Sequence, residues 1–136
     1  MNENIIFQGE SKFEKIIFDK NSMLFYFYFE KIHLIPTDFW RFYKENKIEH
    51  ISRDHTLKYH FQKPKIDLVP YMIEELKNEY LTRIEISKNN DLNLFFSSNK
   101  RIEVYIVSMA FENWEIMIKS KKYICLQGGY DIATIG

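Results

Sequence analysis

The sequence predicts an α+β fold: two related antiparallel β units of about four strands each, joined by one main helix, forming a single sandwich-like or curved-sheet domain. Three observations predict it. Short runs rich in Ile, Phe, Tyr and Val alternate with Asn, Asp, Ser and Gly clusters, the signature of strands and turns. The second half of the chain repeats the first: Ile16 to Phe27 aligns with Ile84 to Phe95, an offset of 84 − 16 = 68, and both copies run on to a tryptophan, Trp40 and Trp114, at 114 − 40 = 74. Between the copies, about 67–80 carries helical apolar spacing. The repeat covers 13–55 and 82–129, and 1–136 reads as one domain, because either half alone is too small for a core of its own.

Lys15 to Phe18 is the first expected strand, closed by a turn at Asp19-Lys20-Asn21-Ser22. Leu24 to Phe29 is an unbroken apolar and aromatic run, expected to be covered on both faces. In Lys31 to Ile35, Ile32 and Leu34 share one face and His33 takes the other; Pro36 ends the strand because it lacks an amide for the ladder. Trp40 to Lys44 and Ile48 to Ser52 form a hairpin about Glu45-Asn46-Lys47. In the predicted helix Asp67 is the N-cap, Pro70 sits in the first turn, and Val69, Met72, Ile73, Leu76 and Tyr80 make the apolar stripe. Thr82 to Ser87 is a strand with its turn at Lys88 to Asp91. Leu92 to Phe96 and Arg101 to Val107 form a hairpin, as do Trp114 to Lys119 and Tyr123 to Gln127. Gly128-Gly129 breaks the pattern before a last short strand, Ile132 to Ile135.

Composition narrows the function classes. Lys and Arg number 19, as do Asp and Glu, so the net charge is zero, which argues against non-specific nucleic-acid binding through a basic surface. An aromatic content of 17 % implies ring-on-ring packing. Cys125 is the single cysteine, so no disulfide forms within the chain, as suits a reducing compartment. The N-terminus lacks the basic start and apolar run of a secretory signal, and no stretch reaches the roughly 20 apolar residues of a membrane helix. The expected location is cytoplasmic.

The polar residues do not read as a reactive centre. His50, His55 and His60 stand five apart with Asp54 among them, a spacing that suits neither a helix face nor the short ligand pairs of zinc sites, so no metal is expected. Ser52, Asp54 and His55 are the right types for a hydrolase, but triads are assembled from distant segments. Cys125 reads as a small buried hydrophobe, and Gly128-Gly129 lacks the Lys-Ser/Thr of a phosphate loop. Lys119 to Lys122 is a basic turn beside Tyr123. No catalytic residue and no cofactor is expected.

Four stretches, spanning Lys15 to about Ile135, carry a resemblance. They are Trp40-Arg41 with Lys47-Ile48 and Ile51 to His55; Asp91 to Phe96 leading to Ile102-Glu103-Val104; Phe111-Glu112-Asn113-Trp114-Glu115-Ile116; and Gly128-Gly129. In this order and spacing they resemble small bacterial immunity proteins of contact-dependent growth-inhibition and polymorphic-toxin systems, the CdiI type. Ser108-Met109-Ala110-Phe111 departs from the form usual before the second tryptophan. The resemblance implies a non-catalytic cytoplasmic protein that binds the C-terminal toxin domain of a cognate secreted effector, often a nuclease, and occludes its active site. No membrane, nucleic acid or small-molecule ligand is then expected as a partner. The exposure pattern nominates Glu74, Glu75 and Glu79 of the helix as toxin-binding residues, with Glu103 and Tyr105 on an outward strand face as second choice. The alternative is a small-ligand or nucleic-acid binding β domain using the turn at Lys119 to Lys122.

Overall fold

The computed structural model describes residues 4–35, 39–55, 66–105, 114–126 and 131–136. The strands are β1 (Asn4–Asp19), β2 (Leu24–Phe29), β3 (Ile32–Ile35), β4 (Trp40–Lys44), β5 (Lys47–Ile51), β6 (Tyr80–Ile86), β7 (Leu92–Phe96), β8 (Lys100–Val104), β9 (Trp114–Ile118), β10 (Lys121–Cys125) and β11 (Ile132–Ile135). Among the described residues, one α-helix, α1 (Leu68–Leu76), and a 3-10 turn, Ser52–Asp54, lie between β5 and β6. All eleven strands of the described residues belong to one sheet in the order β11-β10-β9-β3-β2-β1-β6-β7-β8-β4-β5, with each neighbouring pair antiparallel.

The expectation of two units needs correcting: there is one large sheet. β1, 16 residues long, is its fold line. Its first part, Asn4 to Lys12, pairs with β6, and its second, Phe13 to Asp19, pairs with β2. Gly9, at φ 153°, sits in the irregularity between Gln8 and Ser11, where a residue without Cβ lets the strand bend. The sheet curls back on itself there. Phe25 and Phe27 of β2 meet Trp40 of β4 edge-on, at 5.1 and 5.4 Å, although four strands separate β2 from β4 in the sheet. Phe29 likewise meets Phe96 of β7 at 6.0 Å. Two leaves therefore face each other across a single core that includes Phe25, Phe27, Trp40, Phe42, Leu94 and Ile116.

The repeat survives, but its halves exchange hairpins. β1-β2-β3 accept β9-β10 from the second half, and β6-β7-β8 accept β4-β5 from the first. The register is the same in both exchanges. Lys44 opposite Lys100 and Phe42 opposite Ile102 recur as Ile118 opposite Ile32 and Ile116 opposite Leu34, with 118 − 44 = 74 and 100 − 32 = 68. Sequence alternation specifies which face of a strand is buried and leaves open which apolar edge it joins, so the exchange was invisible in the repeat. One alignment detail also shifts. Inward Phe25, Phe27 and Phe29 correspond to inward Leu92, Leu94 and Phe96, an offset of 92 − 25 = 67, because the β6-β7 turn is one residue tighter.

Several elements differ from expectation for local reasons. β1 begins eleven residues before Lys15 (15 − 4 = 11), and Glu10, Ser11 and Lys12 had hidden its alternation. β2 is fully covered on one face only; Tyr26 and Tyr28 stand half-buried on the other. The helix stops at Leu76, not Tyr80, because Asn78 adopts a left-handed backbone (φ 67°) that turns the chain into β6. Tyr80 is thus a strand residue, and the buried helix positions are Leu68, Met72 and Leu76, with Ile73 39 % exposed. Asp67 is the N-cap, accepting the Val69 amide at 3.0 Å. Tyr71 lays its ring against Phe42 and His50, so α1 covers the inner side of β4 and β5. Pro36, His60, Ile106-Val107, Phe111 to Asn113 and Gly128-Gly129 lie outside the described residues.

Candidate functional site: the outer face around Arg41

Two of the five nominated residues are committed to the fold, and a third stays on the surface of the helix. Glu74 is exposed and pairs with Lys77 one turn on, at 2.9 Å. Glu75 is not on the wet side: only 18 % of its side chain is exposed, and it meets Lys44 at 3.4 Å and Lys100 at 3.3 Å. Glu79 lies beyond the end of α1 and is 9 % exposed. It accepts from the Ser97 hydroxyl at 2.9 Å and from the Ser98 amide and hydroxyl at 3.1 and 2.5 Å, with Lys100 at 3.3 Å. Burial works to raise its pKa, but the hydrogen bonds from Ser98 and Ser97 and the charge of Lys100 outweigh it and hold the carboxyl below its usual range. Helical spacing suggested a free acidic stripe; the early stop at Leu76 and the two lysines reaching over from β4 and β8 turn two of its three carboxylates inward.

Glu103 and Tyr105 do come together, with neighbours the sequence did not mark. β8 presents Arg101 and Glu103 on its outward side, and β4, paired with it, presents Arg41 and Tyr43. Tyr105 follows β8, held by its amide on the Phe39 carbonyl at 3.2 Å. One carboxylate oxygen, Glu103 Oε1, accepts from the Tyr43 hydroxyl at 2.8 Å and from the Tyr105 hydroxyl, and lies 3.5 Å from Arg101 Nη1. Arg101 stacks on the Tyr43 ring at 3.9 Å and reaches Asn93 Oδ1 at 3.1 Å. The Arg41 guanidinium lies over the rings of Tyr105 at 4.6 Å and Phe39 at 5.6 Å. Farther along the leaf, Arg83 covers Phe95 at 4.2 Å and pairs with Glu85 at 2.5 Å.

This lattice shifts its own ionisation. Burial, then hydrogen bonds to Glu103 and Tyr43, push the Tyr105 phenol far above its usual pKa, so it stays a donor. Arg41 is held even more firmly charged, first by hydrogen bonding to Tyr43, which outweighs the opposing effect of burial, with the Glu103 carboxylate adding to it. Pre-set cations on aromatic faces are the groups over-represented where proteins meet.

The other candidates are occupied elsewhere. Ser52 Oγ accepts the Trp40 amide at 3.0 Å, Asp54 Oδ2 binds His50 Nδ1 at 2.9 Å and the Ile51 amide at 3.0 Å, and His55 Nδ1 accepts the Leu68 amide at 3.0 Å. Their reactive atoms thus point to three different partners and form no triad. His55 is fully buried between Phe18 and Phe25, and burial lowers its pKa against a weaker opposing pull from Asp67. Cys125 is buried, its thiol pushed up to about 11 first by burial and then by Asp91. In the basic turn, Lys122 is tied to Glu115 at 3.1 Å. Among the described residues no helix is long and apolar enough to cross a membrane.

The repeat is kept inside and abandoned outside. Trp40 and Trp114, Phe42 and Ile116, Ile102 and Leu34 match as inward pairs. On the outer faces Arg41 corresponds to Glu115, Tyr43 to Met117 and Arg101 to His33. No protein family, curated protein or solved structure matches this chain.

Proposed function

We propose that this chain is an immunity protein of the contact-dependent growth-inhibition type: a non-catalytic binder that neutralises the C-terminal toxin domain of a secreted bacterial effector by occluding its active site. The observation that carries the reading is the contrast between a repeated core and unlike outer faces. A doubled scaffold constrained only by packing would tolerate any polar outer residue. Here one face instead holds three arginines stacked on aromatic rings, two of them, Arg83 and Arg101, paired with Glu85 and Glu103. Occlusion needs roughly 1,600 Å² of total buried surface with a few aromatic and arginine anchors, which one leaf of such a sheet can supply. The sequence resemblance points the same way. The helix carboxylates leave the proposed interface, because α1 lies against Phe42 on the inner side of β4, and Arg41, Tyr43 and Arg101 join Glu103 and Tyr105.

The test is to identify the neighbouring gene and, where it encodes a large secreted effector, to co-express this chain with that effector's C-terminal domain. Growth is restored, and the purified pair elutes as one complex. Continued growth arrest with soluble, folded protein present would overturn the reading.

A further inference from the structure

The geometry points to Arg41 as the anchor for an acidic side chain of a partner protein that docks on the outer face of β8 and β4. The inference rests on the toxin-binding reading and adds where and by what chemistry the partner is held. Three arginines stand on this leaf. Arg83 holds Glu85 and Arg101 lies against Glu103, while Arg41 faces two rings and, among the described residues, has no carboxylate within ion-pair distance. Glu103, directly opposite Arg41 in the ladder, is drawn instead toward Tyr43, Tyr105 and Arg101. The Nε of Arg41 is already enclosed, so the cost of fixing this long side chain has been met before any partner arrives.

The occupant is a protein and not a nucleic acid because of the carboxylates. A nucleic-acid strand brings a charge at every nucleotide and would lay phosphates against Glu85 and Glu103 as well as Arg41. A protein segment can bring a single Asp or Glu to Arg41, apolar or aromatic contacts to Phe39 and Tyr105, and donors to the Glu103 cluster. Planar, forked pairing to a carboxylate also distinguishes Arg from Lys at such a site.

The experiment measures the affinity of the effector's C-terminal domain for the full chain carrying Arg41→Gln, Arg41→Lys or Glu74→Gln, with circular dichroism confirming that each is folded. Arg41→Gln is expected to weaken binding at least about thirty-fold and to flatten its salt dependence, Arg41→Lys about ten-fold, and Glu74→Gln not at all. Undiminished binding by folded Arg41→Gln sinks the inference and leaves the toxin reading standing. Failure of the unaltered chain to bind the domain sinks both. Arg41-dependent capture of a single-stranded RNA oligonucleotide in place of the domain would overturn the protein as occupant. Should Arg41→Gln unfold, Arg41→Lys with a normal melting curve carries the same comparison.

Discussion

Glu79 and His55 show how single buried polar groups set the conditions under which this fold persists. Glu79 gathers Ser97, Ser98 and Lys100 at the place where α1 hands over to β6. Glu79→Ala strands the Ser98 amide and two hydroxyls and takes one of two carboxylates from Lys100, and should cost about 2–4 kcal/mol, read from the urea midpoint. Its folded pKa is depressed, so its contribution is complete above 4.5 and is lost as pH falls below that value. His55 works at a higher pH. Its folded pKa is lowered from 6.5, so below 6.5 the unfolded chain takes up a proton that the folded chain refuses. Stability is therefore full above pH 6.5 and declines beneath it. Urea midpoints at pH 7.5, 6.5 and 5.5 should fall for the unaltered chain and stay nearly level for His55→Gln, whose carbonyl can still accept the Leu68 amide. A flat profile in both would remove His55 as the cause.

Turns and caps were the most readable elements, since their chemistry is local. Asp67 was identified as a cap by residue type and position, and Asp67→Ala should cost about 1 kcal/mol of stability. The β4-β5 turn places Glu45 and Asn46 at φ 51° and 67°, the arrangement that Asn-Gly fits best. The double change Glu45→Asn and Asn46→Gly should raise the thermal midpoint, by an amount equivalent to about 0.5–1 kcal/mol. Strand limits were legible where turn residues or prolines bound an apolar run, as in Leu24–Phe29, Trp40–Lys44 and Leu92–Phe96. They were illegible in the first half of β1, where Glu10 to Lys12 interrupt the apolar sequence. The proposed binding face was only half legible. Glu103 and Tyr105 could be marked as outward by their position in a strand. Arg41 and Arg101 could not be added without the β4-β8 register, a pairing between residues 60 apart in sequence (103 − 43 = 60 for the Tyr43–Glu103 bond).

Taken as one object, the protein is a sheet that neither half can complete. The leaf built on β2 and β3 lacks its outer strands without β9 and β10, and the leaf built on β7 and β8 lacks its own without β4 and β5. Fragments 1–60 and 61–136 should each lack ordered structure in circular dichroism, and mixing them should restore the spectrum of the intact chain. A fragment that folds alone would contradict the interlocked arrangement. Equilibrium unfolding of the whole chain should follow a single transition by fluorescence of Trp40 and Trp114, because both indoles lie in the shared core.

The exchanged hairpins also bear on synthesis. As the polypeptide leaves the ribosome, Phe25, Phe27 and Phe29 emerge long before Trp114 to Cys125, the segment that widens their leaf. Until then the nascent chain carries a greasy, incomplete β surface with an open β3 edge, a natural client for a holdase and a point at which slow translation would favour aggregation over folding.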